Sequence, residues 1–322
     1  MKNKSFLAKE SGVRLDKYLS LNIPELSRTK LKSIISTEQV YVNGQHQKAS
    51  YLVQENDKVE ISFAIEDEVT DSLEPENIPI SIIYEDEHLA LINKPAGLVV
   101  HPGTGVQNGT LVNALMHRYN KLSSVNGNVR AGIVHRLDKD TSGVMIVALT
   151  NQAHVELSRQ FENRLVKKVY IGITWGTWIE KSGLISGSIA RKRTDPTSFS
   201  ISERGRQAET VYDIEVESQY LSQVVFRPKT GRTHQIRVHA NSMNHPIIGD
   251  EKYGGGISRI KGYIPEAGIL LKNMITLLGR HALHAYQLSF THPVTLQSLQ
   301  FQAPIPNDMQ IIIDQLKEDV RI

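Results

Sequence analysis

The 322-residue chain contains no cysteine, and this absence excludes several kinds of chemistry. Disulfides, thiolate nucleophiles and cysteine metal sites are all unavailable, which fits a reducing compartment. No stretch has the length and apolarity of a membrane span, and the segment MKNKSFLAKESGVRLDKYL lacks the continuous apolar core of a signal peptide. Because a hydrophobic content of 40% is enough for a core, we expect a globular protein of the cytoplasm with no membrane partner.

Lysine and arginine are absent between Lys58 and Lys94, and the same interval is rich in aspartate and glutamate. The net charge of the whole chain is +3, so the segments on either side are more basic than this average indicates. Such an asymmetry points to a polyanionic partner, although a solvated acidic linker between two ordinary domains would give the same pattern.

The acidic interval also contains the best candidate for a domain boundary. Its stretch IEDEVTDSLEPENIPI is polar and contains proline, as is typical of a connection. We predict a small domain over residues 12–62, an acidic linker over 63–79, a long domain over 80–310, and a C-terminal helix or tail over 311–322.

The predicted small domain has two helices followed by strands. RLDKYLSLNI is typical of a short helix, and Ser27 is predicted to cap a second helix over RTKLKSIIS. The following segment predicts two or three short strands with a hairpin turn at Asn43-Gly44.

Basic residues surround the start of the second predicted helix, where a helix N-terminus and nearby cations can hold a phosphate group. They are Arg14, Lys17, Arg28, Lys30 and Lys32. A solvated helix face would carry the same charges. However, residues 12–62 resemble the small RNA-binding domain typified by the fourth protein of the small ribosomal subunit, in the SR-capped second helix and the VYVNG hairpin. This resemblance implies that the five basic residues bind RNA.

The long domain is richer in strand patterns than in helix patterns. KKVYIGITWGTW, ETVYDIEVESQY and SQVVFRP alternate as half-buried strands do, whereas GTLVNALMHRYNKL is amphipathic and helical. Many of the predicted strands are joined by short polar turns. We therefore expect an α+β fold, with a mixed, largely antiparallel sheet and flanking helices, preceded by the small α/β domain.

One stretch, GIVHRLDKDTSGVMIVA over residues 132–148, places polar residues between two apolar runs. We predict a loop between two buried strands, a position where chemistry is often mounted. Three interpretations are open. Asp138 or Asp140 caps backbone amides in a turn. DKDT is the D-x-D-x-T motif of a Mg²⁺-dependent phosphotransferase, with Asp250 and Glu251 as further acids. A single aspartate acts without a metal.

The third interpretation agrees with a resemblance that extends over most of the chain. HRLDKDTSG matches in full the H-R-L-D-x-x-T-S-G hallmark of the RluA family of pseudouridine synthases. Further blocks of that family occur in order, namely NKPAGLVVHPG, KKVYIGITWG, TGRTHQIRVH, HPIIGDEKYGG and RHALHAYQLSFTHP. The resemblance covers about residues 12–310 and is closest to the D branch, which modifies large-subunit ribosomal RNA.

The resemblance implies site-specific isomerisation of uridine to pseudouridine, in which the base is flipped out and its C–N bond to ribose is exchanged for a C–C bond. Asp138 matches the family's catalytic aspartate, and the sequence does not decide whether it is a nucleophile or abstracts a sugar proton. Atoms are only rearranged, so we expect no cofactor and no metal. The implied partner is large-subunit ribosomal RNA, and a monomer is expected.

The resemblance also assigns roles to residues within the blocks. The implied catalytic residues are Asp138, Tyr170 and Arg237, and the base-flipping or substrate-binding residues are Arg136, His135, Arg232 and Ile236. Arg136 would fill the space that the flipped base vacates. Arg237 would keep Asp138 ionised, and Tyr170 would lie against the base near the proton on carbon 5.

Two further expectations concern the rest of the chain. The histidines of THQIRVHANSMNH are not spaced as metal ligands, so we expect structural or RNA-contacting roles, and we expect glycines 254–256 to form a flexible loop. A second class of function stays open, a non-catalytic RNA-binding or ribosome-assembly factor, because the N-terminal domain alone would suffice for it.

Overall fold

The structure, a computed structural model, describes residues 2–9, 11–23, 26, 28–63, 73–103 and 105–319. The chain divides into two compact units, Met1–Ser72 and Leu73–Ile322. Ser27, the predicted N-cap, and residues 64–72 of the acidic stretch lie outside the described residues. Within the described ranges, no helix is long and apolar enough to cross a membrane.

The first unit combines two short helices with short strands. Its elements are β1 (Lys2–Leu7), β2 (Val13–Arg14), α1 (Leu15–Asn22), α2 (Arg28–Ser36), β3 (Val40–Val42), β4 (Gln45–His46), β5 (Leu52–Val53) and β6 (Lys58–Phe63). Four strands form a sheet in the order β1–β6–β3–β4, and β2 pairs with β5. Apolar side chains of the helices and strands pack into one core.

Both predicted helices are present, and the hairpin turn lies at Asn43 and Gly44. Both residues have positive φ, as a type I′ turn requires. The Asn43 amide donates to Asp57 at 2.7 Å, and its side-chain oxygen accepts from the backbone N–H of Lys58 at 2.9 Å. The sequence interpretation starts the domain at residue 12 and misses β1, which pairs along its length with β6.

The second unit consists of one large sheet with helices packed against it. Its strands are β7 (Ser81–Glu85), β8 (Leu89–Lys94), β9 (Ser142–Ala148), β10 (Lys167–Trp175), β11 (Ser182–Arg191), β12 (Phe199–Ile201), β13 (Arg206–Glu217), β14 (Leu221–Pro228), β15 (Leu283–Thr291) and β16 (Ser298–Gln302). Its α-helices are α3 (Leu111–Arg118), α4 (Asn151–Glu162), α5 (Gln235–Ser242), α6 (Pro265–Leu278) and α7 (Asn307–Asp319), and short 3₁₀ turns cover Asn128–Arg130, Glu251–Tyr253 and Ile257–Ile260.

The strand order of this sheet is β12–β11–β13–β14–β10–β15–β9–β8–β7, with β16 also beside β15. Among the described strands, every pairing in it is antiparallel except that of β9 with β15. This parallel contact consists of the pairs Ser142–His284 and Gly143–Ala285. The predicted α+β class and the mixed, largely antiparallel sheet are confirmed.

One predicted strand is wrong. The apolar run before the HRLD motif forms no strand, only an isolated bridge between Ile133 and Val147. The side chain of His135 accepts the N–H of Ile146 at 3.0 Å, a donor that a neighbouring backbone carbonyl would take in a continuous ladder. The HRLD motif therefore follows a turn rather than a strand.

Two further segments, the predicted C-terminal helix and glycines 254–256, pack tightly within the second unit. Helix α7 begins at Asn307, and its apolar face lies in the same core as α6. Glycines 254–256 do not form a flexible loop, because a Cβ on Gly255 would lie 1.8 Å from the carbonyl oxygen of Ile247. The Trp175 indole also donates to the Gly255 carbonyl at 2.8 Å.

Candidate active site

A cavity of about 610 Å³ opens in the second unit and is lined by residues from separate parts of the chain. It contains every site residue that the sequence predicts for the long domain: His135, Arg136, Asp138, Tyr170, Arg232, Ile236 and Arg237. They come from the loop before β9, from β10, and from the loop and first turn of α5. The motif blocks thus meet in one place.

A buried lysine fixes the loop that carries Asp138 by a hydrogen bond to the backbone of the next residue. Lys94, at the end of β8, is fully buried and donates to the carbonyls of Pro95, Leu98 and Lys139 at 2.8–2.9 Å. Three carbonyls suit the three donors of an ammonium group, although burial lowers the pKa of Lys94 to about 8. The backbone N–H of Gly97 donates to the same Lys139 carbonyl at 3.0 Å, so the loop is fixed directly beside Asp138.

Asp138 faces a buried arginine. Nη1 of Arg237 donates to Asp138 at 3.1 Å, while Nε and Nη2 donate to both carboxylate oxygens of Asp250 at 2.6 and 2.8 Å. Burial acts to lower the pKa of Arg237, but the two carboxylates outweigh it and raise the pKa above its ordinary value. The guanidinium is therefore a permanent cation, and it forms an ion pair with the Asp138 carboxylate.

His234 is a neighbour of Asp138 to which the sequence interpretation gave no specific role. Its Nε2 lies 3.9 Å from Asp138 Oδ2, and its backbone is left-handed at φ 55°. Its Nδ1 lies 2.7 Å from the hydroxyl of Tyr253, which in turn accepts the N–H of Phe199 at 3.0 Å. Asp250 and Tyr253 belong to the quoted block HPIIGDEKYGG, but only a folded chain shows that they support Arg237 and His234.

Tyr170 and Ile236 form the apolar side of the cavity. Ile236 is buried, and Tyr170 on β10 packs beside it in the same core. Burial, and then the charge of Asp138, raise the pKa of Tyr170 above its ordinary value. Tyr170 is therefore a neutral phenol in this state, and it lines the same cavity as Asp138.

Arg136 and His135 are adjacent in sequence but differ in environment. The exposed Arg136 donates to Nε2 of His101 at 3.1 Å, and Nδ1 of His101 lies 2.8 Å from the Pro102 carbonyl. The ring of His135 stacks on Phe161 and is fastened to β9 through the Ile146 N–H. Burial lowers the pKa of His135 to about 3, so this ring is a neutral structural acceptor that also lines the cavity.

The five basic residues of the first unit are only partly described. Arg14 and Lys32 both approach the buried Asp16, at 3.0 and 3.7 Å, and Lys17 is exposed. The side chains of Arg28 and Lys30 lie outside the described residues. RNA binding by this set stays a prediction.

The metal-dependent interpretation of DKDT finds no support. In the described ranges, no group of three or more His, Asp or Glu side chains is placed to hold a metal ion. Asp250, its proposed second acid, is bound at both oxygens by Arg237. His239 and His245 bind Thr210 and the Trp175 carbonyl, which are structural contacts.

Comparisons with known proteins agree with this geometry. The family model described as RNA pseudouridylate synthase matches residues 88–242, and an S4 domain model matches residues 13–59. The ribosomal large subunit pseudouridine synthase D of Xylella fastidiosa is 40% identical over 96% of this chain and 90% of its own length. An uncharacterized RNA pseudouridine synthase of Aquifex aeolicus is 40% identical over 95% and 94% of the two chains.

Solved structures share the fold. Human RNA Pseudouridylate Synthase Domain Containing 1 superposes with a TM-score of 0.55 at 23% identity, covering 75% of this chain and 96% of its own. Human RNA Pseudouridylate Synthase Domain Containing 4 has a TM-score of 0.54 at 24% identity, covering 74% and 93%.

Proposed function

The chain belongs to the family of RNA pseudouridine synthases, and from this premise we propose that its substrate is uridine in large-subunit ribosomal RNA. As a member it is an isomerase that acts on RNA. Relatives named ribosomal large subunit pseudouridine synthase D, which align over almost the whole chain, support the choice of RNA. The observation that carries the site assignment is the contact of Asp138 with the buried Arg237 in the cavity.

We propose that a flipped uridine enters the cavity with its ribose next to Asp138 and its base against Tyr170 and Ile236. The charged Arg237 contacts Asp138, and a carboxylate in this place either attacks the substrate or abstracts a sugar proton. Once Asp138 forms a bond or gains a proton, its charge no longer raises the pKa of Tyr170. Tyr170 then loses its own proton to solvent more readily, as it must before its oxygen can accept the proton on carbon 5.

Arg136 is the proposed base-displacing residue. It is the exposed cation of the HRLD motif at the rim of the cavity, and a guanidinium is planar enough to stack where a base has left. His135 and Arg232 are proposed to shape this rim, since His135 is fixed to β9 and Nε of Arg232 donates to the Gln207 carbonyl at 3.1 Å. Neither the displacement of the base nor the rearrangement of its bond to ribose requires a cofactor. The cytoplasmic location and the monomeric state stay predictions.

The direct test is Asp138→Asn. The amide keeps the size of the side chain and an oxygen for Arg237, but it removes the charge, so we expect pseudouridine formation to fall by at least about a thousandfold. The measurement is position-resolved pseudouridine mapping of ribosomal RNA from cells that carry the wild-type gene, the variant, or neither. RNA binding by the purified variant, unchanged within about threefold, is the control. Normal product from Asp138→Asn would refute the assignment of Asp138.

The second candidate, an RNA-binding or ribosome-assembly factor without catalysis, rests on the match of residues 13–59 to an S4 domain. It predicts that cells lacking the gene accumulate immature large subunits while every pseudouridine of their RNA is retained. It also predicts that Asp138→Asn restores assembly fully. Loss of a pseudouridine in those cells would exclude it as the sole function.

A further inference from the structure

One side of the active-site cavity carries cations that have no acidic partner. The cavity is lined by seven lysine or arginine residues but only two acids, Asp138 and Glu162. Of the seven, Arg237 is paired with Asp138 and Asp250. In the described part of the chain no carboxylate forms an ion pair with Arg164, Lys168, Arg206, Lys229 or Arg232.

Lys168 is the most enclosed of these unpaired cations. Burial and the nearby charge of Arg164 lower its pKa to about 8. Its Nζ donates to the Thr230 carbonyl at 3.1 Å, the one hydrogen bond it makes among described residues, so two of its three donors remain for a ligand. A Cβ added to Gly231 would meet only this Nζ, at 3.8 Å, so the space between the loop and Lys168 is open.

The unpaired cations also act on one another. Burial, and then the charges of Arg206 and Arg164, lower the pKa of Arg232. Like charges that repel each other in a partly desolvated place are stabilised when an anion binds among them. The loop before α5 is rigid, because Oε1 of Gln235 accepts from Thr230 Oγ1 at 2.7 Å and from the backbone N–H of Arg232 at 3.0 Å. The backbone position of Arg232 is therefore set before a ligand arrives.

The location indicates which anion fits. Lys168 and Tyr170 both lie on β10 and both line the cavity that contains Asp138. We propose that a backbone phosphate of the RNA, next to the flipped uridine, binds to Lys168 together with Arg164, Arg206 and Arg232. This inference rests on the proposed function. Such a subsite holds the phosphodiester while the base is separated from its sugar, which keeps the ribose in place through the reaction.

The test compares Lys168→Met with Lys167→Met. Lys167 is the preceding residue of β10, is exposed and does not line the cavity, so its variant removes the same charge from the same strand. Binding of a labelled RNA hairpin with one uridine in its loop is measured by fluorescence anisotropy over a range of salt concentrations. For Lys168→Met we expect a Kd raised about tenfold and a salt dependence reduced by about one phosphate contact, and for Lys167→Met little change.

A neutral methylphosphonate beside the uridine tests the assignment from the RNA side. It should weaken binding to the wild type about tenfold and weaken binding to Lys168→Met clearly less, because one contact with this phosphate is already missing there. Equal Kd values and salt slopes for the two lysine variants would overturn the proposal, as would equal losses from the methylphosphonate in wild type and Lys168→Met. If Lys168→Met proves unfolded by circular dichroism, Arg206→Met, at an exposed position, takes its place with the same expected pattern.

The outcome is separate from that of the proposed function, because binding is measured without product. If the wild type shows the Lys168-dependent contact but forms no pseudouridine in any RNA, the subsite stands and the proposed reaction fails. If the wild type forms pseudouridine and Lys168→Met binds and reacts like Lys167→Met, the reaction stands and the subsite fails.

Discussion

At the scale of single residues, His234 lies next to Asp138, and its hydrogen bonds define the protonation state of its own ring. The Tyr253 hydroxyl accepts the backbone N–H of Phe199, so we infer that the hydroxyl donates its own proton in the hydrogen bond to Nδ1 of His234. The imidazole proton then lies on Nε2, directed toward Asp138. Burial first, and then Arg237, lower the pKa of His234 against the opposing charge of Asp138, which agrees with a neutral ring. We infer that His234 positions the Asp138 carboxylate.

Two substitutions of His234 separate its two nitrogens. Gln places an N–H near the position of Nε2 and keeps the donor to Asp138, whereas Asn keeps only an acceptor for Tyr253. Asn also tolerates the left-handed backbone well. We expect His234→Asn to lower kcat about tenfold or more with little change in KM, and His234→Gln to keep most of kcat. Equal losses of kcat in both variants, measured by single-turnover and steady-state assays, would contradict a role through Nε2.

The sequence predicted Asp138, Arg136, Tyr170 and Arg237 as one site because each lies in a motif that resembles a known family. It did not predict the roles of His234 and Lys94. A histidine or lysine within a motif has no pattern of its own that distinguishes a structural hydrogen bond from a contact with substrate. Those roles depend on which carbonyl or carboxylate lies nearby, and such contacts join segments far apart in the sequence.

At the scale of elements, the start of β9 fixes the catalytic loop. Gly143 has a φ of 119°, and a Cβ there would lie 2.2 Å from the carbonyl oxygen of Ala285 on β15. On the other side of the loop Arg280 donates to the Asp140 carbonyl at 3.2 Å and pairs with Asp308 at the start of α7 at 2.8 Å. The loop is thus tied to β15 and to α7 at once.

Gly143→Ala should therefore act on both stability and activity. The new methyl group must displace β15 and its backbone conformation is strained, so we expect a loss of about 3 kcal/mol or more and a Tm lower by roughly 6 °C or more. Gly109→Ala is the matched control, since its φ is also positive at 69° but no atom lies within 4 Å of the added Cβ. Differential scanning calorimetry of both variants isolates the contact with β15, and an equal decrease in Tm would show that backbone strain alone matters.

At the scale of the whole molecule, buried histidines make the second unit sensitive to acid. Burial lowers the pKa values of His135, His239, His281 and His284 to about 3, 4, 2 and 4. In the unfolded chain each titrates near 6.5, so between about pH 6.5 and 4 the unfolded state binds more protons than the folded state. Stability must therefore fall as the pH decreases through this window.

We expect the free energy of unfolding to decrease by at least a few kcal/mol between pH 7 and pH 5, since each such histidine contributes up to about 1.4 kcal/mol per pH unit. Urea unfolding followed by tryptophan fluorescence at a series of pH values measures it. Carboxylates with lowered pKa values, such as Glu85 and Asp86, lose their contribution only at lower pH, so they do not explain a change in this range. Constant stability from pH 7 to pH 5 would show that these histidines are not neutral in the fold.

The fold class followed from the sequence because strand patterns and short turns are local features. The strand order did not, because the parallel pairing of β9 with β15 joins segments about 140 residues apart and leaves no local signal. The run before HRLD was interpreted as a strand because its local apolar pattern does not show which group takes its hydrogen bonds. Its apolar side chains are buried as expected, but a side chain of His135 takes the hydrogen bond that a strand would have made.

The pairing of β9 with β15 has a consequence for the order of synthesis. Asp138 and Arg237 are 99 residues apart, and the strand against which the Asp138 loop is set, β15, is made later than either. While β15 is still inside the ribosome, the nascent chain thus contains Asp138 but lacks the strand against which the Asp138 loop is set. Activity should therefore begin abruptly, once β15 has emerged and paired with β9, rather than grow as the preceding strands emerge.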